Sequence, residues 1–216
     1  MPPAYDYLKD PAAIYALSFA RVLEAVPKLK SMETGLAQLA GRVIHASATP
    51  DVMDDLVWSD HIVPRAVNAL RAGAPILCDC QMVASGITRS FLPANNLVVV
   101  TLNNDSIRDE AASLATTRSA AAVNHWVPHL EGAVAVFGNA PTALFHLLEG
   151  LDRGWPMPAA ILGFPVGFVG AAESKDALIN ADHKMEFITL KGRRGGSAMA
   201  AAAVNALAIL AKGEAS

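Results

Sequence analysis

The stretch AVAVFGNAPTALFHLLEGL, residues 133–151, decides the reading of the fold. Ala133–Phe137 is an unbroken apolar run, as expected of a strand covered on both faces. Gly138-Asn139-Ala140-Pro141-Thr142 is a turn that feeds a helix, and Thr142–Leu151 continues at helical spacing. The same unit recurs on either side. Pro75–Cys80, Leu97–Leu102, Ala159–Gly163 and Glu186–Leu190 read as four further strands. Helices are expected over roughly Asp60–Ala72, Asp105–Trp126, Thr142–Leu151, Ala171–Ala181 and Gly196–Ala211, with two more, Pro11–Val26 and Met32–Ser47, ahead of the first strand. Strands alternating with helices predict a three-layer α/β domain with a parallel sheet covered on both sides and an N-terminal helical extension.

Composition fits that reading. Of 216 residues, 53% are hydrophobic and 17% charged, which excludes a disordered chain. The apolar surplus is largely alanine, as in Ala198–Ala203, and alanine suits helices packed closely against a sheet or another subunit. A net charge of −3 argues against a general nucleic-acid binder, while clustered arginines can still attract a small anion. The most apolar tract, Gly196–Ala211, contains Asn205 and falls short of the roughly 20 residues of a membrane span. Met1–Asp10 lacks the basic and apolar regions of a signal peptide. The only cysteines, Cys78 and Cys80, lie on one side of a strand and are expected to be reduced thiols, so the chain reads as cytoplasmic, with no metal site.

In open parallel sheets, ligands bind beyond the carboxyl ends of the strands. Three glycine-containing loops fall there, Gly138–Thr142, Gly163–Gly170 and Lys191–Ser197, and each leads into a helix N-terminus, a surface suited to anions. Tight turns need glycine in any case, so the loops do not by themselves define a site. Gly163, Gly167 and Gly170 do not have the dinucleotide spacing, Lys191–Ser197 lacks a P-loop ending, and no nucleophile elbow or zinc-protease histidine pair occurs. In Met32–Ser47, Leu36, Leu39, Ala40 and Val43 form the apolar stripe, and His45 lies opposite it, with Arg42 on a neighbouring face. His45 therefore faces either water or a second surface. Ser18 shares a stripe with Ile14 and Val22, where its hydroxyl would bond back to the carbonyl of residue 14. Arg118 reads as solvated.

Several long blocks resemble the precorrin-8X methylmutase family. They are Gly73–Asp79, Met82–Ala84, Thr117–Ala122, Gly138–Phe145, Pro165–Lys175 and Gly195–Met199, in the family's order, and the likeness runs from about Tyr5 to Leu210. The resemblance implies a flavodoxin-like fold, a homodimer with substrate near the subunit interface, and an isomerase of cobalamin biosynthesis. Such an enzyme moves a methyl group from C-11 to C-12 of precorrin-8X to give hydrogenobyrinate, or acts on the cobalt-containing counterpart. The opening Tyr5–Asp10 favours the metal-free branch. An isomerisation needs no external methyl donor or electron carrier, so no cofactor is implied.

The family's Arg-x-x-His pattern falls on Arg42-Val43-Ile44-His45, and its serine before a phenylalanine falls on Ser18-Phe19. The resemblance thus implies His45 as the catalytic proton donor, and Ser18 and Arg42 as substrate contacts. Arg118, Ser119 and Arg194 are further candidates for holding the substrate's carboxylates, with Ser197 and loop amides completing the set. Met82 and Val83 either line the macrocycle or belong to the core. Two rival readings keep the fold: a non-catalytic corrin carrier, and another α/β enzyme acting on an anionic small molecule at the glycine loops.

Overall fold

In the computed structural model, residues 5–182 and 185–213 are described; the first four residues of the Met1–Asp10 stretch lie outside them. Two helices open the chain, α1 (Pro11–Ala25) and α2 (Thr34–Ser47), joined through a 3-10 turn at Pro27–Ser31. The short α3 (Val52–Asp55) leads into β1 (Leu56–Trp58), and α4 (Ile62–Arg71) into β2 (Ile76–Cys78). Then come α5 (Gln81–Gly86), β3 (Val98–Val99), α6 (Ile107–Ser113) and α7 (Arg118–Val123). The chain closes with β4 (Val134–Phe137), α8 (Pro141–Asp152), β5 (Ala160–Gly163), α9 (Ala171–Asn180), β6 (Phe187–Leu190) and α10 (Ser197–Lys212).

The six strands form one sheet in the order β1-β6-β5-β4-β2-β3. Strands β2 to β6 are parallel, and numbering those five alone in chain order gives 2-1-3-4-5, the flavodoxin-like arrangement. Side chains alternate across the sheet as the pleat requires. Cys78, Val134, Val136, Leu162 and Ile188 face a core under α2, α4, α5 and α10, whereas Leu77, Ala135, Phe137 and Ile161 face a second core under α8 and α9.

Two expectations change. The sheet has a sixth strand that the hydrophobic pattern did not reveal: β1 pairs antiparallel with β6, Leu56 opposite Leu190 and Trp58 opposite Ile188. Three residues between Asp55 and Ser59 are too short to show a period. The expected helix over Asp105–Trp126 is broken. Ala115 turns left-handed at φ +49°, and Thr117 starts a new helix by accepting a hydrogen bond from the Ala120 amide at 3.1 Å.

α10 is buried nearly all round, because it lies between the sheet and α2. Alanines 200, 201, 203, 206, 208 and 211 permit this, and the expected close packing of the alanine run occurs within the chain itself. At its start the approach is so close that a Cβ on Gly138 would lie 2.7 Å from the Ser197 Cα and 2.5 Å from a Val83 methyl. Val83 is thus core, while Met82 is 64% exposed.

The loop entering α10 is held by links to α9 and to the α3 segment. Lys175 on α9, with no exposed surface, donates from Nζ to the Arg194 carbonyl at 2.5 Å. Arg194 itself pairs with Asp51 at 2.6 Å and Asp55 at 2.5 Å. The Lys191 amide bonds the Asp55 carbonyl at 2.8 Å. Together they bring the end of α2 and α3 to the carboxyl edge of the sheet.

Gly138→Ala is expected to lower unfolding free energy by about 1–3 kcal/mol, read as a drop in urea midpoint at unchanged slope. Lys175 supplies a pH signature. Burial pushes its pKa down from 10.5 to about 8, so between those values the unfolded chain binds the proton and the folded one does not. This group therefore makes stability rise with pH from about 8 to 10.5. Urea titrations of wild type and Lys175→Met across that range should diverge, the wild type gaining relative to the variant as pH rises.

Candidate functional site

The seam between α1 and α2 gathers the unusual side chains. Asp10 caps α1 through the Ala12 amide at 2.9 Å, and the Glu33 carboxylate caps α2 through the Gly35 and Leu36 amides, each at 2.9 Å. Of its predicted stripe, α2 buries Leu39, Ala40 and Val43 and half-buries Leu36; Ile44 is buried as well, and His45 is exposed. Ser18 Oγ lies 2.8 Å from His45 Nδ1, and Arg42 donates from Nη2 to the Tyr15 hydroxyl. Both pairs are 27 residues apart, so the two helices run in the same direction where they meet. Ser18 therefore does not return its hydroxyl to its own helix; the imidazole across the seam is a better partner than a carbonyl already bonded.

Aromatic rings fill the rest of the seam. Phe19 stacks on His45 with centroids 5.1 Å apart and planes 20° apart, and Tyr15 lies 4.6 Å from Phe19. The Arg42 guanidinium sits 5.6 Å from the Tyr15 and Phe19 rings and 5.9 Å from Phe91. It makes no ion pair among the described residues, and its buried Nε has no partner. A cation held by ring faces is stabilised without being neutralised, and so stays available to an anion.

His45 opens on a cleft of about 250 Å³ shared with Ser18, Arg21, Val22 and Pro50. With Ser18 on Nδ1, Nε2 is the ring nitrogen left to exchange a proton with a ligand. A larger hollow of about 610 Å³, beside Glu33, Trp58 and Arg71, lies at the opposite end of α2 and contains no histidine. Among the described residues no three His, Cys, Asp or Glu side chains cluster as metal ligands.

The other candidates are dispersed. Arg118 and Ser119 begin α7; Arg118 is exposed and donates to the Leu102 carbonyl at 3.1 Å, and Ser119 is half-buried. Arg194 is committed to Asp51 and Asp55 and braces the α3 segment. Ser197 lies 3.5 Å from the Cys80 thiol. Cys78 and Cys80 are both free and buried, and burial pushes both thiols up.

The glycine loops spend many of their amides internally. Asp79, 3% exposed, accepts from the amides of Gly138 at 3.0 Å and of Asn139 and Ala140 at 2.8 Å. Burial raises its pKa while these amides pull it down. A carboxylate of the protein thus occupies the crevice between β2 and β4 where this fold customarily holds a phosphate. The Gly196 amide likewise bonds the Phe164 carbonyl at 2.8 Å. The arginine that has no acidic partner among the described residues, Arg42, lies instead at the α1–α2 seam. Tyr15, Arg21 and Phe91 were missed in the sequence; of these only the Tyr15–Phe19 spacing of four carried a signal, as a helical aromatic pair.

Comparison with known proteins places the chain in a family. Residues 13–210 match the family model described as CbiC, precorrin-8X methylmutase. The chain is 56% identical over 203 residues to the precorrin-8X methylmutase of Pseudomonas aeruginosa, covering 94% of this chain and 97% of that one. It is 35% identical over 171 residues to the cobalt-precorrin-8 methylmutase of Priestia megaterium, covering 79% and 75%. A solved precorrin-8X methylmutase from Thermus thermophilus superposes with TM-score 0.79 at 36% identity, over 92% of this chain and 97% of that one. With a family model matched over residues 13–210, nearly full coverage of a relative at 56% identity and the same fold, the chain belongs to the precorrin-8X methylmutase family of isomerases.

Proposed function

We propose that the chain, as a single methylmutase domain, moves the methyl group of precorrin-8X from C-11 to C-12 to give hydrogenobyrinate, and that His45 supplies the proton. The observation that carries this reading is the Ser18–His45 pair beside an arginine that has no acidic partner among the described residues. As imidazolium, His45 donates from Nδ1 to Ser18 Oγ and from Nε2 to the ring system. Protonation draws electron density from the conjugated framework and favours migration of the methyl with its bonding pair. The proton then returns to Nε2, so atoms and charge balance and no external donor is needed. Ser18 keeps the ring orientation through both states. The metal-free substrate is favoured because relatives at 56% and 52% identity are named for it, while the relative from Priestia megaterium named for the cobalt form is at 35%.

Arg42 holds one substrate carboxylate, and Arg118 and Ser119 meet others at the sheet edge. Arg194, already paired, acts by holding the α3 segment near His45. A homodimer is supported by apolar surface that the chain leaves uncovered. α1 buries none of its residues and exposes Ile14, Leu17 and Leu23, and Phe168 and Val169 are 87% and 88% exposed. Cytoplasmic placement is supported by the two buried, unpaired thiols. Among the described residues, no helix is long and apolar enough to cross a membrane.

Anaerobic incubation with precorrin-8X should yield a corrin absorption spectrum at unchanged mass. His45→Ala should lower turnover by about 10²–10⁴-fold while keeping the fold. Near wild-type turnover in that variant would remove His45 from the chemistry, and pigment bound without conversion by wild type would indicate a carrier. Leu17→Asp should shift the protein from dimer to monomer in light scattering, and an unchanged mass would place any interface elsewhere.

A further inference from the structure

We propose that Tyr15 is a substrate-binding residue that donates its phenolic hydrogen to the same side-chain carboxylate that Arg42 holds. The inference rests on the reading of the α1–α2 seam as the tetrapyrrole site and adds a residue that neither the sequence motif nor the family description singles out.

Three observations lead there. The Tyr15 oxygen accepts from Arg42 Nη2, which occupies its acceptor side, and its O–H makes no hydrogen bond to the described residues. A hydroxyl that accepts from a cation turns its own hydrogen away from that cation, so its donor is left free for an incoming acceptor beside the pair. Among the described residues the guanidinium has three aromatic neighbours and no carboxylate, so one face of the pair is short of an acceptor.

Spacing matches a macrocycle. Tyr15 and Ser18 stand three residues apart on α1, and Arg42 and His45 three apart on α2. The carboxylate clamp is therefore about 4.5 Å along the seam from the proton donor. A macrocycle that offers Nε2 of His45 a proton-accepting atom presents a side-chain carboxylate at its rim one helical turn away. Tyr15 is 37% exposed, open to such a ligand rather than sealed in a core.

Tyr15→Phe isolates the hydroxyl, because it keeps the ring beside Phe19 and Arg42. Binding of hydrogenobyrinate, followed by its absorption at low salt, should weaken about tenfold, as for a hydrogen bond to a charged group. Arg42→Met provides the second background. If Tyr15 donates directly, Tyr15→Phe still weakens binding there by about threefold or more. The permethyl ester of the same pigment, which has no carboxylate, should bind wild type and Tyr15→Phe alike. Unchanged hydrogenobyrinate affinity in Tyr15→Phe, loss of the effect in the Arg42→Met background, or an equal effect with the ester would each overturn the inference. The first would leave the Tyr15 hydroxyl without a role in binding, the second would leave it as a support for Arg42, and both would leave the site intact. Failure of wild type to bind the pigment at all would overturn the site reading as well.

Discussion

Burial of α10 between the sheet and α2 is the constraint on which the rest depends. A helix with an interface on nearly every side has no room for large side chains, and its alanines let its neighbours come close. α2 consequently lies outside α10 as a further layer instead of on the sheet. One face of α2, with Leu39, Ala40, Val43 and Ile44, seals against the core, and the other is free to meet α1. The α1–α2 seam therefore lies in the outermost layer rather than at the strand ends. α1 brings Tyr15, Ser18 and Phe19 to it without fully burying a residue of its own, so polar and ring contacts carry much of the seam. Elements with few buried apolar contacts open most readily.

Charge distribution separates supporting residues from the seam. Asp79 is satisfied by three amides, Lys175 by a carbonyl, and Arg194 by two carboxylates. Each stabilises a loop or a short helix at the carboxyl edge, and each is occupied in doing so. Arg42 differs because its neighbours are ring faces, which attract a cation through their quadrupoles without cancelling its charge. A chain with net charge −3 thereby keeps a local attraction for an anionic ligand. Asp79 has the complementary effect. By taking the amides at the β2–β4 crevice, it closes the position where a flavodoxin-like sheet would hold a phosphate.

Much of this was legible before any coordinates. Four of the strands read as apolar runs are buried on both faces or nearly so, and α4, α8, α9 and α10 fall close to their expected bounds, because a two-faced strand and an amphipathic helix leave different periods in a sequence. His45 could be placed off its helix's core stripe by spacing alone, and the Arg-x-x-His resemblance named it. Leu56–Trp58 escaped because three residues carry no period, and the break at Ala115 escaped because a left-handed alanine has no compositional mark.

Local pattern determined the layers, the alternation of strand and helix, and the residues facing away from the core, since these follow from covalent geometry and from burying apolar surface. Only the tertiary structure decided which of those residues meet. Ser18 and His45 are 27 residues apart, and Arg194 and Asp51 are 143 apart. A hydrogen bond or ion pair over such a separation exists because packed helices bring two distant points together. Its geometry depends on crossing angle and register, which no single stretch of sequence encodes.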